Sequence, residues 1–158
     1  MELTDELRRS YITCGLDLLG PKYGGAPAKQ FMAAIAYQES NFEHRHQIGG
    51  PAHGFWQFEM NGGVVGVMKH HASNAEAVRV CKHYKVLFER KDIYDALEHN
   101  DELAACFARL LLWTDPKAIP TDIESAWEYY IRAWRPGKPH IRRWPFAWKK
   151  AKELWGNA

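Results

Sequence analysis

Apolar residues recur every three or four positions along most of the chain, the spacing that gathers them on one face of an α-helix. In residues 4–19 this stripe begins after Thr4, a residue type that caps helix N-termini, and it stops at Gly20 and Pro21. Comparable patterns predict further helices over residues 28–40, 64–71, 74–84, 92–99, 100–113, 122–134 and 145–155. Only residues 45–59 lack the spacing, and we expect a short β-hairpin there. The pattern predicts a mainly α fold with a small β-hairpin element, an α+β class.

Length and composition agree with one globular domain over residues 1–158. Of the 158 residues, 46% are apolar and 25% are charged, which is enough apolar material for a buried core. The sequence has no internal repeat, low-complexity segment or linker that would mark a second domain. It also lacks the run of about 18 apolar residues that a membrane span needs, and its start is not that of a secretion signal. We therefore expect a chain that is made in a cytosol.

Charge is unevenly distributed along the chain, although the net charge is only +2. Residues 129–158 contain eight basic residues and one acidic residue, so the excess of positive charge lies at the C-terminal end. Such an asymmetry predicts an anionic partner. The candidates are a nucleic acid, a lipid surface and an acidic envelope polymer. No nucleic-acid recognition motif accompanies the charge, so we expect no specific nucleic-acid binding.

The basic end also contains an amphipathic helix. Trp144, Trp148, Ala151 and Trp155 share one helical face, while lysines occupy the other faces. We expect the apolar face of this C-terminal helix to pack on the core of the domain. The lysines can then contact an anionic cell envelope, an attraction that salt would weaken.

A carboxylate interrupts the apolar stripe of the helix predicted over residues 28–40. Phe31, Ile35 and Glu39 are successive positions four residues apart, so the Glu39 side chain shares the face that points to the core. Burial and the negative end of the helix dipole both disfavour its charged form and raise its pKa. A carboxylic acid that keeps its proton near neutral pH suits a general acid. The alternative is a solvated helix end, or a pair with a neighbour such as Arg45.

Two segments around this residue resemble the signature segments of the lysozyme-like superfamily. "AIAYQESNF" (residues 34–42) is similar to a helix ending in Glu-Ser, and "GFWQF" (residues 54–58) is similar to the Gly-x-x-Gln segment of the active cleft. The resemblance is nearest to goose-type lysozymes, soluble lytic transglycosylases and small phage endolysins. A looser match, "AWEYYIRAWRPGKP" (residues 126–139), lies where these enzymes carry a cleft tyrosine, but their Tyr-Asn-x-Gly pattern is not intact. We assign that tyrosine to Tyr130 rather than Tyr129.

The resemblance implies a single lysozyme-like domain that cleaves the β-1,4 bond between N-acetylmuramic acid and N-acetylglucosamine in peptidoglycan. The glycosidic oxygen leaves readily only when it is protonated, so the reaction needs an acid with a raised pKa. By the match, Glu39 is that acid and Ser40 is its orienting hydrogen-bond partner. Gln57 would contact an N-acetyl or hydroxyl group, and Tyr130 would line the cleft. Trp56, in a segment interpreted as a strand, is a candidate for contact with the face of a sugar.

A second carboxylate decides how the reaction ends. Hydrolysis needs a group that holds the attacking water or stabilises the sugar cation. Glu59, on the same face of a strand as Gln57, is the candidate, with Glu43 as the alternative. If neither faces Glu39, the 6-hydroxyl of the sugar attacks instead and gives a 1,6-anhydro product, as in lytic transglycosylases. The sequence leaves both outcomes open.

Histidines offer a rival chemistry. His44 and His46 would share a strand face, and other histidines, including His53, are available for a zinc-dependent amidase or peptidase. The sequence has no HExxH motif and no aspartate or cysteine at a convincing ligand spacing, so we predict no metal and no cofactor. A further alternative is a non-catalytic protein that keeps the lysozyme scaffold and binds envelope or nucleic acid.

Size and resemblance together favour a bacteriophage lysis enzyme. Without an export signal it would be made in the host cytoplasm and reach the cell wall through a holin-type pore, or it would travel with the virion. We expect a monomer whose partner is the peptidoglycan polysaccharide.

Overall fold

The structure, a computed structural model, describes residues 2–156, and eight α-helices follow one another along them in the predicted order. Residue 1 and residues 157–158 of the predicted domain lie outside the described residues. The helices are α1 (Asp5–Leu19), α2 (Ala26–Ser40), α3 (Val65–Lys69), α4 (Asn74–His83), α5 (Arg90–His99), α6 (Asp101–Trp113), α7 (Ile123–Trp134) and α8 (Trp144–Gly156). Short 3-10 helices at Pro21–Tyr23 and Ile141–Arg143 and a π-helical turn at Met60–Val64 accompany them. The predicted mainly α fold is confirmed.

The helix ends lie close to their predicted positions. Thr4 caps α1, since its hydroxyl oxygen accepts a hydrogen bond from the backbone N–H of Leu7 at 3.2 Å. Asn100 caps α6 in the same way through the N–H of Leu103, at 2.9 Å. The largest difference is α3, because the helix predicted over residues 64–71 has only five residues and follows a π-helical turn.

Helix α2 is buried on all sides rather than along one stripe. All residues from Phe31 to Ala36 are fully buried. Helix α8 packs along α2, and the Trp155 indole donates a hydrogen bond to the carbonyl oxygen of Lys29 at 3.0 Å. A helix that is apolar all round belongs in the centre of a core. Even so, none of the helices within residues 2–156 combines the length and apolarity needed to cross a bilayer.

Helices α1 and α6 pack at close range because of Gly15. A Cβ atom on Gly15 would lie 2.9 Å from the Cβ of Ala105 and 3.1 Å from the carbonyl oxygen of Glu102. A larger residue would therefore push the two helices apart. Helices α1, α2, α6 and α8 together supply most of the hydrophobic core.

The predicted β-hairpin in residues 45–59 is wrong, since residues 2–156 contain no strand. This segment forms isolated antiparallel bridges instead, between His46 and His53 and between His53 and Phe58. Gly54 and Gln57, which lie between the bridged residues His53 and Phe58, have φ angles of 80° and 55°, so the chain turns there and does not continue as a strand. The N–H of Gln57 donates to the carbonyl oxygen of Gly54 at 2.9 Å, closing a turn where a strand was expected.

Helix α8 packs its tryptophans on the core, as the sequence predicts. Trp144 and Trp148 are buried and Trp155 is half-buried. Lys149 and Lys152 are exposed on the other side of the helix. The apolar face of this helix is therefore used within the domain.

Candidate active site

A cleft of about 590 Å³ opens between three parts of the chain. Its walls are the C-terminal end of α2, the loop of residues 44–59, and the end of α7 with residues 135–140. The lining side chains from the first two walls and α7 are Gln38, Glu39, Ser40, His44, His46, Gln47, Ile48, Pro51, Ala52, Gln57, Glu59, Tyr130 and Trp134. The cleft therefore brings together all the predicted site residues except Trp56.

Glu39 lies in the last turn of α2, which ends where Asn41 adopts the left-handed conformation with a φ of 57°. The side chain is half-buried in the cleft. Burial raises the pKa of this carboxyl most strongly, the hydrogen bond from Tyr130 lowers it, and the charge of Glu59 raises it again. The resulting pKa is about 7, against an ordinary value of 4.5. The predicted direction of the shift is confirmed, and a large fraction of the carboxyl is protonated at neutral pH.

Tyr130 reaches Glu39 from the opposite wall. It is buried on α7, and its ring stacks on that of Trp144 at 5.4 Å with an angle of 7° between the planes. Its hydroxyl donates a hydrogen bond to Oε2 of Glu39. Burial and the neighbouring Glu39 carboxylate raise the pKa of Tyr130, so the hydroxyl keeps its proton and remains a donor. Tyr129 points elsewhere, since its hydroxyl donates to the carbonyl oxygen of Leu112 at 2.6 Å.

Glu59 and Gln57 enter the cleft from the loop. Glu59 is exposed, lines the same cleft as Glu39 and adds negative charge to its surroundings. The Gln57 side chain is held in place because its Nε2 donates to the carbonyl oxygen of Gly54 at 3.0 Å. Glu43, the alternative second carboxylate, is exposed outside the cleft. Glu59 is therefore the acidic residue of the loop that shares the cleft with Glu39.

Ser40 ties the loop to α2. Its hydroxyl is buried and lies 3.1 Å from the carbonyl oxygen of Ala36 and 2.6 Å from that of Phe55, both of which accept from it. The hydroxyl points to backbone and not to Glu39, so the predicted orienting contact is replaced by a structural one.

Trp56 is a core residue. It is fully buried, and its indole N–H donates to the carbonyl oxygen of Met32 on α2 at 2.9 Å. The expected contact of Trp56 with a sugar is wrong, because the turn formed by residues 54–57 directs both Phe55 and Trp56 into the core. Alternation of faces applies to strands, and this segment is not one.

Trp134 supplies the aromatic wall that was expected from Trp56. It lies one helical turn after Tyr130 on α7 and lines the cleft. Its indole N–H donates to the carbonyl oxygen of Trp56 at 2.9 Å, which fixes the ring at the cleft surface. The spacing of four residues between Tyr130 and Trp134 is the sequence signal that identifies it.

Residues 135–140 form the far wall of the cleft, and Gln38 holds them. The Gln38 Nε2 donates to the carbonyl oxygens of Pro139 at 3.0 Å and His140 at 3.1 Å. Both ends of the wall, Arg135 and His140, are in the left-handed conformation. No local sequence pattern indicates this contact, since 101 positions separate Gln38 from Pro139.

This arrangement can deliver a proton to a bound molecule. An acid with a pKa near the working pH is the most effective proton donor, and the Tyr130 hydroxyl stabilises the carboxylate that remains. Glu59 offers a second carboxylate for a water molecule or a cation. His46 of the cleft wall, together with His53 and Glu98, offers metal-ligand atoms within 4.8 Å of one another.

No protein-family model, curated protein or solved structure matches this chain. The geometry of the cleft therefore carries the functional conclusion.

Proposed function

We propose that this chain is a peptidoglycan lytic glycosidase with a lysozyme-like fold. In this proposal Glu39 protonates the β-1,4 bond between N-acetylmuramic acid and N-acetylglucosamine. The observation that carries the proposal is the Glu39 carboxyl, whose pKa is raised to about 7 within a cleft. A glycosidic oxygen is a poor leaving group until it is protonated, and such an acid supplies the proton near neutral pH. The resemblance of residues 34–42 and 54–58 to lysozyme-like segments supports the same assignment.

Tyr130 helps the proton to leave Glu39. Its hydroxyl already donates a hydrogen bond to Oε2 of Glu39. A hydrogen bond to an ionised carboxylate is stronger than one to a neutral acid, so this bond strengthens as the proton moves to the substrate. The added stabilisation arises in the transition state and not in the ground state, and it therefore accelerates cleavage.

Glu59 supports a hydrolytic ending of the reaction. A carboxylate in the same cleft as the acid can take a proton from water as that water attacks the sugar cation. The released fragments then carry an ordinary reducing end. Attack by the 6-hydroxyl of the sugar instead would give an anhydro end, and mass analysis of the fragments distinguishes the two products.

The remaining walls of the cleft suit a glycan. Trp134 offers a ring for the apolar face of a sugar, and Gln57 offers an amide for an N-acetyl or hydroxyl group. Lys149 and Lys152 on α8 are exposed and would attract the anionic polymers of a bacterial envelope. That attraction would weaken as salt concentration rises.

We infer a bacteriophage lysis enzyme that acts as a monomer. It would be made in the host cytoplasm and reach the wall after holin-type release, or act from the virion. The competing proposal is a non-catalytic protein on the same scaffold, favoured by the positive charge of residues 129–158, which would bind the envelope or nucleic acid without cutting glycan.

A wall-clearing assay separates the two proposals. Glu39→Gln removes the acid while keeping the shape of the side chain, and we expect clearing to slow by about 100- to 10,000-fold. Glu43→Gln is the matched control, because Glu43 is an exposed acid four residues away and outside the cleft. We expect this variant to clear the wall as fast as wild type. Equal clearing by wild type and Glu39→Gln would show that Glu39 is not the acid. A wild-type protein that binds wall without clearing it supports the non-catalytic proposal.

A further inference from the structure

We propose that His46, His53 and Glu98 form a binding site for a divalent transition-metal ion of the zinc type, which clamps the cleft loop to α5. One ligand atom from each residue lies within 4.8 Å of the other two. The two histidines come from the loop of residues 44–59, and Glu98 is the penultimate residue of α5. Two imidazoles and a carboxylate are a common ligand set for zinc. The site is separate from the acid of the proposed glycosidase and does not depend on that activity.

The backbone brings the two histidines together. His46 and His53 face each other across an isolated antiparallel bridge, with backbone hydrogen bonds between the chain segments on either side of the pair. A pair of this kind has no hydrogen bond between its own backbone groups, and its side chains approach closely on one face. The ring centroids are 4.9 Å apart. The short bridge therefore places two imidazoles next to each other, although the loop forms no strand.

His53 is oriented as a metal ligand. Its Nδ1 lies 2.9 Å from the carbonyl oxygen of Tyr94, and because a carbonyl only accepts hydrogen bonds, Nδ1 carries the proton. The lone pair is then on Nε2. The ring is buried and stacks on the Tyr94 ring at 3.7 Å. A backbone carbonyl that fixes the far nitrogen of a histidine in this way is the usual outer support of a metal-bound imidazole.

Glu98 completes the ligand set. Its Oε1 lies 2.6 Å from Nδ1 of His46, and its Oε2 lies 3.0 Å from Nε2 of His99. A metal ion would take the place of the hydrogen bond between His46 and Glu98. A zinc ion bound at about 2.0–2.1 Å from each ligand atom holds those atoms about 3.3 Å apart. The three ligand atoms lie within 4.8 Å of one another, so each pair must approach by at most about 1.5 Å. His46 is exposed, so its side chain is free to rotate toward the ion.

The ion would stiffen one wall of the cleft. The loop lacks the ladder of hydrogen bonds that would hold a hairpin, and His46 itself lines the cleft. A bond from both histidines to α5 would replace the missing ladder. Because the unfolded chain does not present the three ligands together, metal binding favours the folded state.

Titration with zinc and with cobalt tests the site in the purified, metal-stripped protein. We expect one ion per chain, a visible absorption band from cobalt in a tetrahedral site, and a zinc-dependent rise in melting temperature of about 5–10 °C at a hundredfold excess over the dissociation constant. His46→Gln and Glu98→Gln should each lose the cobalt band and most of the zinc-dependent rise. His83→Gln is the control, because His83 is an exposed histidine on α4 outside the group, and it should behave as wild type.

Three results would overturn the proposal: a wild-type protein with no zinc-dependent rise, unchanged binding in His46→Gln and Glu98→Gln, or lost binding in His83→Gln. The rise is measured within each variant, with and without zinc, so a general loss of stability does not imitate it. Wall clearing plays no part in this test, so its outcome is independent of the glycosidase proposal.

Discussion

Opposing influences set the charge of Glu39. Burial favours the neutral acid, and the hydroxyl of Tyr130 favours the carboxylate. The balance leaves a pKa of about 7, so the group holds its proton in neutral solution and can still release it. Removing either influence therefore changes the working pH of the proposed enzyme.

Tyr130→Phe tests the smaller of these two influences. Loss of the hydrogen bond raises the pKa of Glu39 further, so the fall of activity at alkaline pH moves to higher pH. A hydrogen bond to a charged group contributes about 1.5–3 kcal/mol. At pH values below the alkaline fall of activity, kcat should therefore be about 10- to 100-fold lower than in wild type. A pH profile of glycan cleavage measures both effects.

Tyr129→Phe is the matched control for that profile. It removes a buried tyrosine hydroxyl from the same helix, but that hydroxyl donates to the backbone of Leu112 and not to Glu39. We expect its pH profile to match that of wild type. An alkaline limb that stays in place in Tyr130→Phe would contradict the role assigned to Tyr130.

The residues of the site differ in how far sequence alone could identify them. The sequence identifies Glu39 as a candidate acid because it lies on the apolar stripe of a helix, a pattern that a few neighbouring residues define. Its partner Tyr130 is 91 positions away, and only the family resemblance pointed to it. The prediction for Trp56 is wrong because its environment depends on a turn with positive φ angles at Gly54 and Gln57. The spacing of apolar residues does not indicate such a turn.

The loop of residues 44–59 is held by contacts with the helices beneath it and not by strand pairing. Arg45 forms two hydrogen bonds of 3.0 Å with the carboxylate of Asp101 in the first turn of α6. Gly54 lies so close to α5 that a Cβ atom there would be 2.7 Å from the carbonyl oxygen of Leu97. Trp56 fills the core beneath the loop. These anchors fix the wall of the cleft that carries Gln57 and Glu59.

Trp56→Phe tests whether this tryptophan is an anchor. The variant loses the hydrogen bond to Met32 and leaves a gap in the core, so the free energy of unfolding should fall by about 1–3 kcal/mol. Denaturant unfolding measures that loss. Once folded, the variant should bind glycan with a near-normal KM, whereas Trp134→Phe should raise KM and leave stability less affected. A raised KM in Trp56→Phe with a normal KM in Trp134→Phe would indicate that Trp56 contacts the sugar.

The helices were predictable and the loop was not, for one physical reason. Residues three and four positions apart meet on a helix, so a short stretch of sequence contains both the apolar pattern of a helix and its capping residue. Thr4 and Asn100 are such capping residues. The conformation of the loop depends on its contacts with α2, α5 and α6, which are distant in sequence. The same distance explains why Glu98 was not recognised as a partner of His46 and His53.

The stability of the folded chain depends on the protonation of Glu39, because an ionised carboxylate is unfavourable at this buried position. The pKa of Glu39 is higher in the folded chain, at about 7, than its ordinary value of 4.5. The folded state therefore binds this proton more tightly than the unfolded state, and stability from this group is full below about pH 4.5. It is lost as pH rises through about 7, by about 3 kcal/mol in all.

Glu39→Gln should remove that pH dependence. The amide cannot ionise, so the variant and the wild type should have similar stability near pH 4.5. The variant should be the more stable by about 3 kcal/mol near pH 8. Denaturant unfolding at several pH values measures the difference, with Glu43→Gln as the control for loss of an exposed acid. A difference that does not grow with pH would contradict the assigned burial.

The proposed function depends most on Glu39 keeping its proton near neutral pH inside the cleft. The most direct measurement is a pH titration of the carboxyl carbon of Glu39 by NMR in glutamate-labelled protein, with Glu39→Gln to assign the signal. We expect a midpoint near 7. A Glu39 midpoint near 4.5 would contradict the account, because the carboxyl would then be ionised at the pH where it is proposed to donate.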